Sequence, residues 1–293
     1  MYKISACVFI RDNDDCGFCL WESMANLIPL VEEYVVMDFG STDGTLDILK
    51  DLASKNQKIR ILERQLQPEE IDAKIFATMA NELVSACRHD LVLYHQADEI
   101  WHENLIRIFQ AQLPGIYEIV DGGAAFKGLS FWRYQLRNNF QRIKWMPHVV
   151  NRLDLKTRFN FVGDGMNTDR VWDPPLCGSF DGGWFPRWGK EFESDPTELP
   201  THEMILDVSS IGGFLENIVL KRQKHGPFWR EDPNRINLPE GNVDIKEWHD
   251  AEQKNLEWTK TISPFNLPAI MHGLVGKTKY EVRQEVLDTI ARG

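Results

Sequence analysis

The sequence predicts an α/β protein built on a doubly wound, mostly parallel sheet, with a helical C-terminal extension. Three observations predict it. Short apolar runs alternate with amphipathic segments through the first hundred residues, and parallel neighbours need such helical crossovers. Two of the runs, Val35-Val36-Met37-Asp38 and Leu91-Val92-Leu93-Tyr94, end on acid-bearing turns, where strand ends open into a ligand crevice. Finally, 43% of the 293 residues are hydrophobic, enough to build a core at this length.

Residues 2–10 read as the first buried strand. The Asp/Asn cluster at 12–15 can then cap a helix carrying Leu20, Met24, Leu27 and Leu30 at helical spacing. Residues 33–38 form the second strand and Gly40-Ser41-Thr42-Asp43-Gly44-Thr45 the turn after it. Leu46, Leu49 and Leu52 lie on one face of the next helix, and 59–62 is a third short strand. Within 69–87, Ile71, Ile75, Met79 and Leu83 recur every fourth residue, the stripe of a helix packed on a sheet. Residues 90–94 form a fourth strand. After about Pro114 the texture changes: across 117–131 β-formers mix with Gly122, Gly123 and Gly128, so strands and long loops are expected there rather than helix. Helical signals return in 214–224, 248–258 and 280–291, separated by the Pro- and Gly-bearing stretches 226–241 and 263–276. The expected organisation is one domain over 1–213 with a helical extension, 214–293, packed on it.

The net charge of −11 opposes binding to phosphate backbones, so no nucleic-acid partner is expected. The apolar start is too short for a secretory leader and runs at once into Arg11-Asp12-Asn13-Asp14-Asp15. No stretch approaches the roughly 18 apolar residues of a membrane span, and a cytoplasmic protein is expected. Cys16 and Cys19 make one Cys-x-x-Cys, while Cys7, Cys87 and Cys177 stand alone, so no second pair completes a four-thiolate zinc site. Reduced thiols, with Cys16 and Cys19 on a helix, are expected.

The acid-bearing turns narrow the chemistry. A dinucleotide site wants Gly-x-Gly-x-x-Gly after the first strand, whereas the carboxylates of Asp12, Asp14 and Asp15 would repel a pyrophosphate. Gly276-Lys277-Thr278 lacks the glycine five residues earlier that a P-loop requires. What remains is a site offering carboxylates, which recognise ribose hydroxyls, base N–H groups or a divalent cation.

Val35-Val36-Met37-Asp38-Phe39-Gly40-Ser41-Thr42-Asp43-Gly44-Thr45, then Asn81, then Tyr94-His95-Gln96-Ala97-Asp98-Glu99 resemble, in order and spacing, the motifs of family 2 glycosyltransferases. The resemblance covers residues 2 to about 110 and implies a GT-A fold. It extends more loosely through Val208-Ser209-Ser210, Lys221, His225, Trp229 and Pro268-Ala269-Ile270-Met271, as in bacterial and phage members. Two residues depart from the pattern. Phe39 stands where a second acid is usual, and Gln96 where the first acid of an Asp-x-Asp is usual. Gln96 can still hydrogen-bond ribose or a metal-bound water, whereas Phe39 can only stack or pack.

The resemblance implies a hexosyltransferase-like enzyme taking a nucleotide-sugar donor and a glycan or similar hydroxyl acceptor, with inversion. Asp38 would meet the base or ribose, with Arg11 at the pocket edge, and Gln96 would also bind the donor. Asp98 would ligate Mg²⁺ or Mn²⁺. Asp207 aligns with the distal metal ligand that many members supply as histidine, and His202 and His225 are the nearby imidazoles. The acceptor base is sought in the second half, where Asp164 between Gly163 and Gly165 comes first, with Asp169 and Asp181 behind it. Lys221 belongs to a basic cluster with Arg222, Lys224, His225 and Arg230 that could fold over a diphosphate or form a solvated helix face. Asp43 can serve the site or simply start its helix. Trp184 and Trp188 are candidate sugar platforms. The rival reading, motivated by Phe39 and Gln96, is a non-catalytic module of the same fold that binds a glycan or a partner protein. A nucleotidyltransferase would want a basic Gly-rich loop in place of residues 11–15.

Overall fold

The computed structural model describes residues 3–67, 70, 75–121, 129–130, 133–137, 142–146, 152–162, 167–168, 205–207, 260–261, 267–277 and 279–293. Strand β1 (Ile4–Ile10) is the centre of the main sheet. It pairs in parallel with β2 (Glu33–Asp38) on one side and β4 (Leu91–Tyr94) on the other, and β2 pairs in parallel with β3 (Ile59–Glu63). Beyond β4 lie β9 (Arg152–Leu155), antiparallel to it, and β6 (Leu129–Ser130), giving the order β3-β2-β1-β4-β9-β6. This is the doubly wound, mostly parallel sheet the sequence predicts.

Its central strands β1, β2 and β4 are buried on both faces, which accounts for their nearly continuous apolar character. Ile4, Ala6, Val8 and Ile10 join Tyr34, Val36, Leu91 and Leu93 under helices α2 (Leu20–Leu27), α3 (Thr45–Lys55) and α5 (Glu103–Asp121). Cys7, Val35, Met37, Val92 and Tyr94 face α4 (Ile75–Ala86) on the other side. A second sheet, β13-β8-β7-β12-β5, comprises β5 (Glu99–Trp101), the antiparallel hairpin β7 (Arg133–Arg137) and β8 (Arg142–Met146), β12 (Ile205–Asp207) and β13 (Lys260–Thr261). The chain passes from the first sheet to the second in the four residues between β4 and β5.

Three local expectations are corrected. Helix α5 runs through Pro114 to Asp121, where strands and loops were expected from 117. An interior proline costs about 3 kcal/mol. Burial of Leu105, Phe109 and Ile116 along one face, at roughly 1.5–3 kcal/mol each, outweighs it. Second, Cys16 and Cys19 do not share a helix: Cys16 ends the one-turn α1 (Asn13–Cys16), Gly17 turns left-handed at φ 64°, and Cys19 precedes α2 at φ 60°. Both side chains are buried and outside any disulfide, as are those of Cys7 and Cys87; Cys177 lies outside the described residues. Third, the helix carrying Leu20 to Leu27 stops there, and Ile28–Leu30 tightens to a 3-10 turn at Pro29.

The described C-terminal residues pack against the first half. A 3-10 turn (Ala269–Leu274) and helix α6 (Gln284–Arg292) lie on α2 and α3, burying Met271, Leu274, Val286 and Ile290. Glu22 of α2 is fully buried and receives Tyr280 Oη–H at 2.9 Å and the Arg283 guanidinium at 3.1 and 3.2 Å. Burial pushes the Glu22 carboxyl up, and Arg283 opposes that rise. Asn56 Nδ2–H donates to Ile290 O at 2.7 Å. No described helix is long and apolar enough to cross a membrane.

Candidate functional site

The order β3-β2-β1-β4 reverses direction between β1 and β4, so the switch point of the sheet lies at the carboxyl end of β1. The two acid-bearing ends flank it. Ile10 is in register with Asp38 on one side, and Cys7 with Tyr94 on the other. With strands spaced about 4.8 Å apart and the two ends staggered by three residues along β1, the ends of β2 and β4 stand roughly 14 Å from each other. That is a gap of small-ligand size.

Asp38, the last residue of β2, is buried, and its carboxylate closes its own turn. Oδ1 accepts the N–H groups of Gly40 and Ser41, each at 3.0 Å, and Oδ2 accepts the Ser41 hydroxyl. Gly40 and Gly44 sit at φ 96° and 95°, a left-handed backbone that disfavours a side chain. The rest of the motif ties the turn to the loop after β1. Asp12 N–H donates to Ser41 Oγ at 2.8 Å, Asn13 N–H to Thr45 Oγ1 at 3.0 Å, and Asp15 N–H to Asp43 Oδ2 at 2.9 Å. In return, Asp12 Oδ1 accepts Thr42 N–H at 2.6 Å and Thr42 Oγ1–H at 3.1 Å. Asp12 itself is left-handed, at φ 52° and ψ 52°. The Ser-Thr-Asp-Gly-Thr run therefore supplies the capping oxygens that the short α1 lacks on its own side. Asp43 serves this junction and also accepts Thr45 N–H at 3.1 Å. Arg11, first after β1, is partly exposed and points Nε to Asp12 Oδ2 at 3.5 Å.

On the other side of β1, residues 95–98 form the turn into β5. Gln96 is half-buried, and Asp98 is buried at 7% exposure. Gln96 N–H donates to Glu99 Oε2 at 2.9 Å, and Glu99 N–H to Gln96 O at 3.2 Å. His95 is buried with both ring nitrogens engaged, Nε2 with Tyr34 Oη at 2.8 Å and Nδ1 with Gln96 O at 3.0 Å. Because a carbonyl only accepts, Nδ1 carries the proton and Tyr34 Oη–H donates to Nε2. Burial pulls the imidazole down to about 4, the backbone bond to Gln96 resisting, so the ring is neutral.

Asp207 ends β12 as the register partner of Glu99, which places its backbone one step across the ladder from Asp98. The two expected cation ligands thus stand immediately before β5 and at the end of its ladder partner β12, and carboxylate oxygens are hard donors of the kind that suit Mg²⁺ or Mn²⁺. Among the described residues, no three His, Cys, Asp or Glu side chains converge into a ready cation cluster. Phe39 is buried and packs edge-on to Phe9 at 5.9 Å; Phe9 also meets Phe76 at 5.8 Å and Tyr94 at 6.5 Å. A carboxylate at 39 would be buried among rings, so the phenyl group suits its surroundings. Asn81 in α4 bonds the backbone of Phe161 twice, accepting its N–H at 2.8 Å and donating to its carbonyl at 3.0 Å, which fixes β10 (Phe161–Val162). That strand pairs with β11 (Asn167–Thr168). Asp164, between them, lies outside the described residues, as do Asp169, Asp181, Trp184, Trp188, His202, Lys221, Arg222, Lys224, His225 and Arg230. Sequence reasoning missed Asp12, Ser23, Tyr34 and the role of His95. A signal existed for the last in an imidazole placed directly after the apolar run 91–94.

The fold and the site define an α/β protein whose crevice, at the switch point of its main sheet, is flanked by acid-bearing strand ends. Residues 20–171 match the model of glycosyl transferase family 2, just over half of the chain, and the chain belongs to that family. No curated protein matches it. Among solved structures it is similar to Staphylococcus aureus TarS, at 19% identity over 46% of this chain and 22% of that one, with a TM-score of 0.30. It is also similar to the mannosyltransferase PcManGT of Pyrobaculum calidifontis, solved with GDP-Man and Mn²⁺, at 15% identity over 47% and 36% and a TM-score of 0.30. A third is 4-diphosphocytidyl-2C-methyl-D-erythritol synthase of Anaerococcus prevotii, at 13% identity over 53% and 71% and a TM-score of 0.33. The chain thus spans well under half the length of the first two.

Proposed function

We propose that the chain is a glycosyltransferase, hexosyltransferase-like, that moves a sugar from a nucleotide-diphosphate sugar to a glycan or other hydroxyl acceptor with inversion. The observation that carries the reading is a family 2 match on a chain whose two acid-bearing strand ends, β2 and β4, flank β1 at the switch point. In one in-line displacement the acceptor oxygen bonds to the anomeric carbon as the bond from that carbon to the diphosphate breaks. The electron pair leaves with the diphosphate and the hydroxyl proton passes to a carboxylate, for which Asp164 is the candidate. Asp38 and its turn form the base and ribose side of the donor pocket, with Arg11 at its edge. Gln96 lies on the diphosphate side, where Lys221 is the candidate cation from the chain itself. Asp98 and Asp207 would hold Mg²⁺ or Mn²⁺, which, when bound, offsets charge on the departing diphosphate.

One observation favours the second reading, a non-catalytic module: the Asp38 carboxylate already closes its own turn, and Phe39 belongs to the core. Release of nucleoside diphosphate from UDP-, GDP-, CDP- and dTDP-sugars with Mn²⁺ or Mg²⁺ separates the two. The expected outcome is turnover of one donor, falling by about 10²-fold or more in Asp98→Ala. Silence across the panel, together with no calorimetric binding of any nucleotide, would favour the module.

A further inference from the structure

We propose that His95 is a positioning residue, locked between Tyr34 and Ser23, that fixes the turn presenting Gln96 and Asp98 to the donor. The assignment rests on the transferase reading for what the turn does, and on geometry for how the turn is held. His95 sits at 1% exposure against the ring of Tyr34, itself part of the apolar core. Burying two polar nitrogens is unfavourable unless both are bonded, and a leucine would fill such a position without that requirement. Both nitrogens are bonded, and each bond has a direction. Gln96 O can only accept, so Nδ1 carries the proton and donates to it at 3.0 Å, and Tyr34 Oη–H, from β2, donates to Nε2. Ser23, from α2, lies 3.5 Å from Nδ1 and donates its own hydroxyl proton to Glu99 O at 2.8 Å.

The turn is consequently pinned at both ends from below. Gln96 O accepts from His95 Nδ1 and from Glu99 N–H, while Glu99 O accepts from Ser23. Through Tyr34 and Ser23, the β2 side of the crevice and α2 both bear on where the β4 side stands.

The two halves of the imidazole can be removed separately. An asparagine places its amide near the Nδ1 edge and keeps a donor for Gln96 O; a glutamine reaches the Nε2 side and keeps a partner for Tyr34 but not that donor. Amide hydrogen exchange at Glu99, whose N–H closes the turn, reads the turn directly and needs no substrate. In H95N its exchange and the donor KM should stay within about threefold of the native values, given that the bond to Gln96 O persists. In H95Q the exchange should rise about tenfold, with donor KM rising similarly and kcat changing less. Equal exchange at Glu99 in the two variants, each corrected for its global unfolding, overturns the assignment. A selective rise in H95Q supports it. If donor binding fails to follow that rise, the role given to the turn is what fails, and the hold of His95 on it stands.

Discussion

A neutral imidazole in a sealed core makes stability depend on pH in a direction that can be worked out. The His95 value of about 4 lies below the 6.5 of an ordinary histidine, so the unfolded chain takes up a proton that the native ring refuses. The contribution is complete above about pH 6.5, falls as pH drops through the interval, and is gone below about 4; its full size is roughly 3 kcal/mol. Burial also pushes the Tyr34 phenol well up, so the ring's one side-chain donor keeps its proton throughout. Urea midpoints at pH 7 and pH 4.5 should therefore separate for the native protein by more than for H95N, in which that ionisation is absent. An identical pH response in both would show that the ring is not held neutral. The candidate acids were legible from the sequence because a carboxylate at the end of an apolar run is conspicuous. The bonds that occupy them were not, since Asp38 spends its oxygens on residues two and three further on, a geometry that periodicity does not encode.

At the scale of elements, the first four parallel strands and their helices followed from alternation, whereas what joins them did not. The loop after β1 and the turn after β2 are about thirty residues apart in sequence, yet they exchange five hydrogen bonds between 12–15 and 41–45. Capping was legible in the surplus of Ser, Thr and Asp, but the sequence assigned those oxygens to their own helix rather than to α1. Asp12 is the pivot. Asp12→Ala loses the acceptor for Thr42 and meets the left-handed penalty of about 1–2 kcal/mol, so a destabilisation of roughly 2–3 kcal/mol is expected. Asp12→Asn keeps a short acceptor that tolerates the same backbone and should cost under about 1 kcal/mol. Chemical denaturation of the pair tests this, and equal losses would remove Asp12 from the junction. Helix α5 and strand β5 escaped prediction for opposite reasons. Pro114 hid a helix that burial sustains, and β5 is three residues long, too short to show a period.

Across the whole molecule, Glu22 joins the beginning of the fold to its end. Its partners Tyr280 and Arg283 stand 258 and 261 residues away, and no sequence pattern could pair them. Arg283→Met leaves a carboxylate buried at 0% exposure without its cation, for which about 3–5 kcal/mol of destabilisation is expected. Glu22→Gln combined with Arg283→Met removes both charges and should recover most of that loss in thermal unfolding. A double variant no better than the single would mean that packing, not charge, holds α6 in place. Because α2 carries Glu22 toward the C-terminal residues and Ser23 toward the His95 turn, those residues and that turn meet on one short helix. The distance in sequence is also a distance in time. A ribosome adding about 5–20 residues per second delivers Arg283 some 13–50 s after Glu22. For that interval the β1–β4 layers can form, but the acid inside α2 has no cation. On the nascent chain the Glu22 carboxylate should accordingly stay in water until Arg283 has been made, so the seating of α2 against the C-terminal residues comes late in folding.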